Sequence, residues 1–215
     1  MKDIVEIKKK TYYGNTAKDY DSKRLNNPYG KNTDYLEKRA INCLLVSIKC
    51  KKILDLPCGT GRITKFLLEK NYLVYGVDVS SDMIKEASIK LKKYPNLLGL
   101  KVSSGDSLRF KDNEFDCVTS IRLMGHLPKD YRLKVLKEMN RVSDYIIVSY
   151  HSRNSIMGLL KRFQIILGLK DKNWFQVSEN DAIKELEKCG FKVIGKSYVL
   201  RGIAETYFLV GQKDS

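Results

Sequence analysis

Apolar positions along the chain switch between helical spacing and short uninterrupted runs. Residues 33–49 place Leu36, Ala40, Ile41, Leu44, Leu45 and Ile48 at helical spacing. A short apolar run then ends in Asp55, a helical segment covers 61–70, and 72–79 is a second apolar run. Ser80 or Ser81 caps a helix whose Met83, Ile84, Ala87 and Leu91 share one face. Residues 97–103 and 115–121 read as third and fourth strands, and 145–150 as a fifth. Between the last two, 129–141 is amphipathic through Tyr131, Leu133, Val135, Leu136 and Met139. Apolar strands alternating with amphipathic helices predict an α/β fold whose parallel sheet is covered on both faces. Ser178 and Asp181 form a capping box for a helix over 181–189 that stops at Gly190. Residues 191–200 and 205–213 read as strands joined around Arg201 and Gly202, so an antiparallel hairpin finishes the sheet.

The 215 residues suit one domain. A net charge of +15 comes from Lys and Arg spread along the whole chain, which is first of all a solvated surface and secondly favours an anionic substrate or partner. The five cysteines, at 43, 50, 58, 117 and 189, form no C-x-x-C pair, so neither a disulfide framework nor a metal site is expected. That pattern, and an N-terminus without a signal-like apolar core, fit a reducing cytoplasmic setting. No window approaches the ~20 apolar residues of a membrane span.

Candidate chemistry gathers at the turn after the first strand, Asp55-Leu-Pro-Cys-Gly-Thr-Gly-Arg62. In an open parallel sheet such a turn lies at the carboxyl end of its strand, where ligands bind. Gly59 and Gly61 let the backbone approach a ligand closely. Asp78 ends the second strand, where a carboxylate can accept both hydroxyls of a ribose. Asp106, after the third strand, can accept from an exocyclic amine such as that of adenine.

These motifs, in this order, resemble the class I S-adenosylmethionine-dependent methyltransferases. Asp55 to Gly61 is similar to their D-x-G-x-G-x-G motif, with Pro57 where the first glycine usually stands. Proline removes one N–H there and keeps Leu56 extended. The resemblance implies a Rossmann-like, doubly wound sheet of seven strands, mostly parallel with a C-terminal antiparallel hairpin. It divides a single domain into a lid (1–32), a cofactor core (33–150), a substrate-side cap (151–177) and a final helix and hairpin (178–215). The implied cofactor is S-adenosylmethionine, leaving as S-adenosylhomocysteine. Its implied contacts are Asp55, Pro57, Cys58, Gly59, Thr60, Gly61 and Arg62 in the first motif, Asp78 at the ribose, and Val79 and Met83 after it. Gly105, Asp106 and Ser107 follow at the adenine, with Ile121 and Arg122 after the fourth strand. Tyr20 is the expected lid tyrosine, with Tyr12 and Tyr13 as weaker matches. Competing readings are a plain strand-helix turn with Asp55 and Asp78 as caps, and a nicotinamide-binding enzyme. The latter needs G-x-G-x-x-G, whereas the matching frame here is Pro57, Gly59, Arg62.

For the acceptor, no N/D-P-P-Y motif follows the fourth strand, which argues against amino groups of DNA bases. A Gly-His-Leu segment stands there instead and resembles small-molecule members of the family, making His126 the candidate general base. His151 is a second substrate-side candidate, with an exposed loop histidine as the alternative. The resemblance favours methyl transfer to oxygen or nitrogen of a small, lipid-linked or sugar-linked acceptor. A ribosomal or transfer RNA methyltransferase stays open through the cations and aromatics between Arg153 and Trp174, and so does a non-enzymatic cofactor-binding protein. Acceptor identity and oligomeric state are not legible. Finally, Ile156, Leu159, Leu160, Phe163, Ile166 and Leu167 recur at helical spacing, widened by Met157 and Ile165. The expectation is either a helix packed on the core or a cap whose Leu160 and Phe163 line the acceptor pocket. Lys161, Arg162 and Lys170 would attract an anionic or lipid-linked substrate, with at most peripheral membrane contact.

Overall fold

A computed structural model describes residues 15–152, 154–167 and 175–214. Tyr12 and Tyr13, and Arg153, Lys170, Lys172 and Trp174 of the RNA reading, lie outside them. The described elements are α1 (Asn15–Lys18), α2 (Tyr20–Leu25), α3 (Pro28–Leu45), β1 (Lys52–Asp55), α4 (Arg62–Glu69), β2 (Leu73–Asp78), α5 (Ser81–Leu91) and β3 (Leu97–Val102). They continue with β4 (Phe115–Ser120), a single 3₁₀ turn (Met124–His126), α6 (Lys129–Val142), β5 (Ser143–His151), α7 (Ile156–Ile166), α8 (Glu179–Lys188), β6 (Phe191–Tyr198) and β7 (Thr206–Lys213).

The strands form one seven-stranded sheet in the order β3-β2-β1-β4-β5-β7-β6. Only β7 is antiparallel, running between β5 and β6. Successive side chains of the central strands point to opposite faces, and both faces are covered, which is why these strands are apolar throughout. Ile53, Val74, Cys117 and Ile147 pack with α3, α4 and α5 through Ile41, Leu67 and Leu91. Leu54, Val118, Ile146 and Val148 pack on the other face with α6 and α8 through Leu136, Met139 and Leu186. A fully buried ion pair pins those two helices: Arg132 donates to both Glu185 oxygens at 2.9 and 2.6 Å.

Two boundaries and the burial of one strand differ from expectation. Helix α3 begins at Pro28, because Pro28 suits the first turn and Asn27 caps it by accepting from Gly30 N–H at 2.7 Å. It therefore runs across the expected division at residue 33. Strand β3 is only half-buried, since it forms a sheet edge. Strand β5 extends to His151, which is thus neither a loop residue nor exposed.

Candidate active site

The turn between β1 and α4 is stitched to both neighbouring strands: Leu56 N–H donates to Thr119 O at 2.9 Å and Cys58 N–H to Val77 O at 2.8 Å. The Leu56–Pro57 peptide is cis. Gly61 caps α4 at φ +85°, and a Cβ there would stand 2.7 Å from Leu91 Cδ1. Gly59, at φ +53°, has open space where its Cβ would be. One glycine therefore serves packing, and the other leaves room for a ligand.

Asp55 has no exposed surface. It accepts from Thr64 Oγ1 at 2.6 Å and Thr119 Oγ1 at 3.0 Å, joining β1, α4 and β4. Burial pushes its carboxyl up to about 6 against these hydrogen bonds. Asp78 accepts from Gly59 N–H and Ser80 N–H, each at 2.9 Å. Burial raises its carboxyl as well.

A cleft of about 280 Å³ opens above this turn, at the carboxyl end of the sheet. Pro57, Cys58, Gly59, Thr60 and Arg62 form its floor, and Asp78, Val79 and Met83 one side. Ile121, Arg122 and His126 come from the segment after β4, and Tyr20 from α2. A smaller cavity of about 60 Å³ shares Pro57, Val79, Leu123 and Leu127 with it and continues to Ser103, Ser104, Gly105 and Tyr131. Helix α2 is fastened over the floor: Asp21 accepts from Thr60 Oγ1 at 2.8 Å and from Lys90 Nζ at 2.6 Å.

Several expected residues are placed otherwise. Asp55 and Gly61 do not line the cleft; they build the turn. Of the adenine-side residues, only Gly105 lines the smaller cavity. Asp106 instead accepts from Ser104 Oγ, which also lies 3.0 Å from Tyr131 Oη. Burial works to raise the Asp106 carboxyl, but the Ser104 and Tyr131 hydrogen bonds hold it below its ordinary value. His151 lies under the His126 segment rather than in the cleft. Its ring packs so closely on Gly125 that a Cβ there would meet Cδ2 at 2.3 Å, and its Nδ1 stands 3.7 Å from Glu205 Oε1. Leu160 and Phe163 are exposed and line neither cavity.

The largest addition is an arginine cage at one end of the cleft. Glu37, on the buried face of α3, is met by Arg24 at 2.8 Å, Arg62 at 3.0 Å and Arg122 at 2.6 Å. Arg62 also pairs with Asp34. Burial would raise the Glu37 carboxyl, but Arg122, Arg62 and Arg24 outweigh it and hold it below its ordinary value. Burial, then repulsion from Arg62 and Arg122, lowers Arg24, whose buried Nε has no hydrogen-bond partner. Three cations against two carboxylates leave an excess positive charge beside the cleft. Arg122 occupies the left-handed region at φ +63°, its N–H donating to Ser149 Oγ at 2.7 Å. A residue other than glycine, asparagine or aspartate is uncommon there, and its backbone is held by that bond beside the cleft. The sequence carried one signal for the cage: an acid at Glu37 on the same helix face as Ala40, Ile41 and Leu44 needs cations once buried.

Residues 53–144 match the family described as "Methyltransferase domain". A demethylmenaquinone methyltransferase of Lysinibacillus sphaericus is 33% identical over 173 residues, 68% of this chain and 73% of that protein. The chain belongs to the class I S-adenosylmethionine-dependent methyltransferases. A ubiquinone biosynthesis O-methyltransferase of Nitrosospira multiformis is 24% identical over 106 residues, 48% of this methyltransferase and 44% of that protein. Among solved structures, magnesium protoporphyrin IX methyltransferase from Synechocystis PCC 6803 with bound SAH superposes with a TM-score of 0.78 at 20% identity. That match covers 98% of this chain and all of the other, and it shows the shared fold. Among the described residues, no helix of this methyltransferase is long and apolar enough to cross a membrane.

Proposed function

We propose that this methyltransferase binds S-adenosylmethionine along the joined cavities and moves its methyl group to an oxygen or nitrogen of a small acceptor entering beside His126. The observation that carries the reading is the cleft that joins Asp78, the open face of Gly59 and the arginine cage. The bound cofactor supplies a methyl group on a sulfonium that is already strongly electrophilic. The smaller cavity, with Ser103, Ser104 and Gly105, suits the adenine. Asp78 keeps acceptor capacity beyond its backbone bonds to Gly59, Ser80 and Val79 and suits the ribose hydroxyls. The excess charge of the cage suits the cofactor's carboxylate. Tyr20, fastened in place through Asp21, would keep water from the reacting centre.

In this reading His126, which lines the cleft, takes the proton from the acceptor, and the remaining contribution is orientation. Relatives named for demethylmenaquinone and for ubiquinone biosynthesis support a small, partly apolar acceptor. The test is kinetic. With a quinone precursor as acceptor, His126→Ala lowers kcat at least tenfold and leaves the affinity for S-adenosylhomocysteine unchanged. Equal kcat removes His126 from the chemistry. Transfer to bulk RNA but to no small acceptor replaces the acceptor class.

A further inference from the structure

Helix α7 is turned the wrong way round for a helix packed on a core. Among the described residues, it meets the rest of the molecule chiefly through its N-cap Ser155 and through Gly158, which are buried, and through backbone groups at its start. Ile156 N–H donates to Gly202 O at 3.0 Å and Met157 N–H to Ile203 O at 3.1 Å. Gln176 Nε2 donates to Gly158 O at 3.1 Å, and no Cβ fits at Gly158, where it would meet Ser152 O at 2.2 Å. The apolar side chains point outward: Leu159 is 53% exposed, Leu160 60%, Phe163 62% and Ile166 77%. The patch continues onto exposed Leu200 and Ile203 of the β6–β7 turn and onto Tyr29, whose hydroxyl is 4.0 Å from Met157 Sδ.

Surface of this kind, contiguous and apolar, marks a contact with something else. The charge of the sequence that carries it selects what that is. From Ser152 to Lys170 the sequence carries Arg153, Lys161, Arg162 and Lys170 and no acid, and Tyr198 to Ala204 adds Arg201 and again no acid. The whole chain is at +15. An apolar helix face in a stretch of sequence that carries cations and no acid is the pattern of a segment that lies in a bilayer interface and is drawn there by anionic headgroups. Both α7 and the β6–β7 turn stand at the carboxyl end of the sheet, the end at which the cleft opens. Phe175 N–H donates to Gly125 O at 2.9 Å, tying the segment after α7 to the turn that carries His126.

We infer that this face docks the enzyme on an anionic lipid surface, with the mouth of the cleft toward the lipid. The inference goes beyond the methyl-transfer reading and is tested without turnover. The full chain is sedimented with vesicles of phosphatidylcholine containing 30% phosphatidylglycerol and with vesicles of phosphatidylcholine alone, in low and high salt. The expected result is binding to the anionic vesicles, at least tenfold weaker to the neutral ones, and weakened by salt. Leu159→Ser with Ile166→Ser lowers binding at least tenfold, and Arg201→Glu lowers it severalfold. Both variants keep the wild-type affinity for S-adenosylhomocysteine, which shows that they are folded and tests the cofactor reading separately. A wild-type chain that stays in the supernatant overturns the inference, as does a double variant that binds vesicles like the wild type. A dimer in solution that the double variant dissolves also overturns it, because a second copy then covers the face.

Discussion

A carboxylate without exposed surface destabilises a fold unless cations meet it, and Glu37 meets three. Removing it leaves Arg24, Arg62 and Arg122 facing one another. Glu37→Gln therefore lowers stability at pH 7 by about 3–5 kcal/mol, the usual cost of breaking a buried pair. The folded carboxyl lies below its ordinary value of 4.5, so its contribution is present above that pH and is lost as the pH falls further. The two proteins' denaturation midpoints should converge in acid, and a constant gap would contradict the assignment. Asp55 behaves in the opposite sense. Its folded carboxyl, at about 6, lies above the ordinary 3.8, so ionisation weighs against the fold. The cost is absent below about pH 4, grows as the pH rises through 6, and amounts to about 3 kcal/mol in full. Asp55→Asn, measured without cofactor, should gain on the wild type between pH 4 and 7, and a pH-independent difference would place the cost elsewhere.

At the scale of elements, the Met124–His126 turn is positioned from below. Gly125 lies on the His151 ring with no room for a methyl group. Gly125→Ala should displace His126 and lower kcat at least tenfold while leaving the affinity for S-adenosylhomocysteine intact. Adding His151→Ala should restore part of the rate by making space; no rescue would mean that the turn is held by other contacts. Helices and strands were legible because each repeats a period over many residues, and the order Asp55, Asp78, Gly105 follows from strand ends. The roles within those motifs were less legible. Asp55 and Asp106 match the motif in type, yet bond to neighbouring hydroxyls, and spacing cannot separate a ligand contact from a brace. Amphipathicity also left α7 undecided, since an apolar face has the same pattern whether it meets a core, a pocket or a lipid.

For the molecule as a whole, the cage brings distant segments together, as do the Asp21 bonds to Thr60 and Lys90: Arg24 and Glu37 precede β1, while Arg122 follows β4. Such meetings depend on the finished topology, so a single sequence could offer only the hint of an acid on an apolar helix face. The same closure gives a testable response. Cleavage of the wild type within residues 19–27, around α2, should slow severalfold when S-adenosylhomocysteine is present, and Asp21→Ala should lose much of that protection along with its bonds to Thr60 and Lys90. Equal cleavage with and without ligand would mean that α2 does not close on it. The central claim is that this cleft holds the methyl donor through Asp78. Calorimetric titration of S-adenosylhomocysteine into the wild type and into Asp78→Ala tests it most directly. The account predicts one site per chain in the wild type and an affinity about a hundredfold lower in the variant, the loss of two hydrogen bonds to a carboxylate. Equal affinities, or a wild type that binds NADH and not S-adenosylhomocysteine, would contradict it.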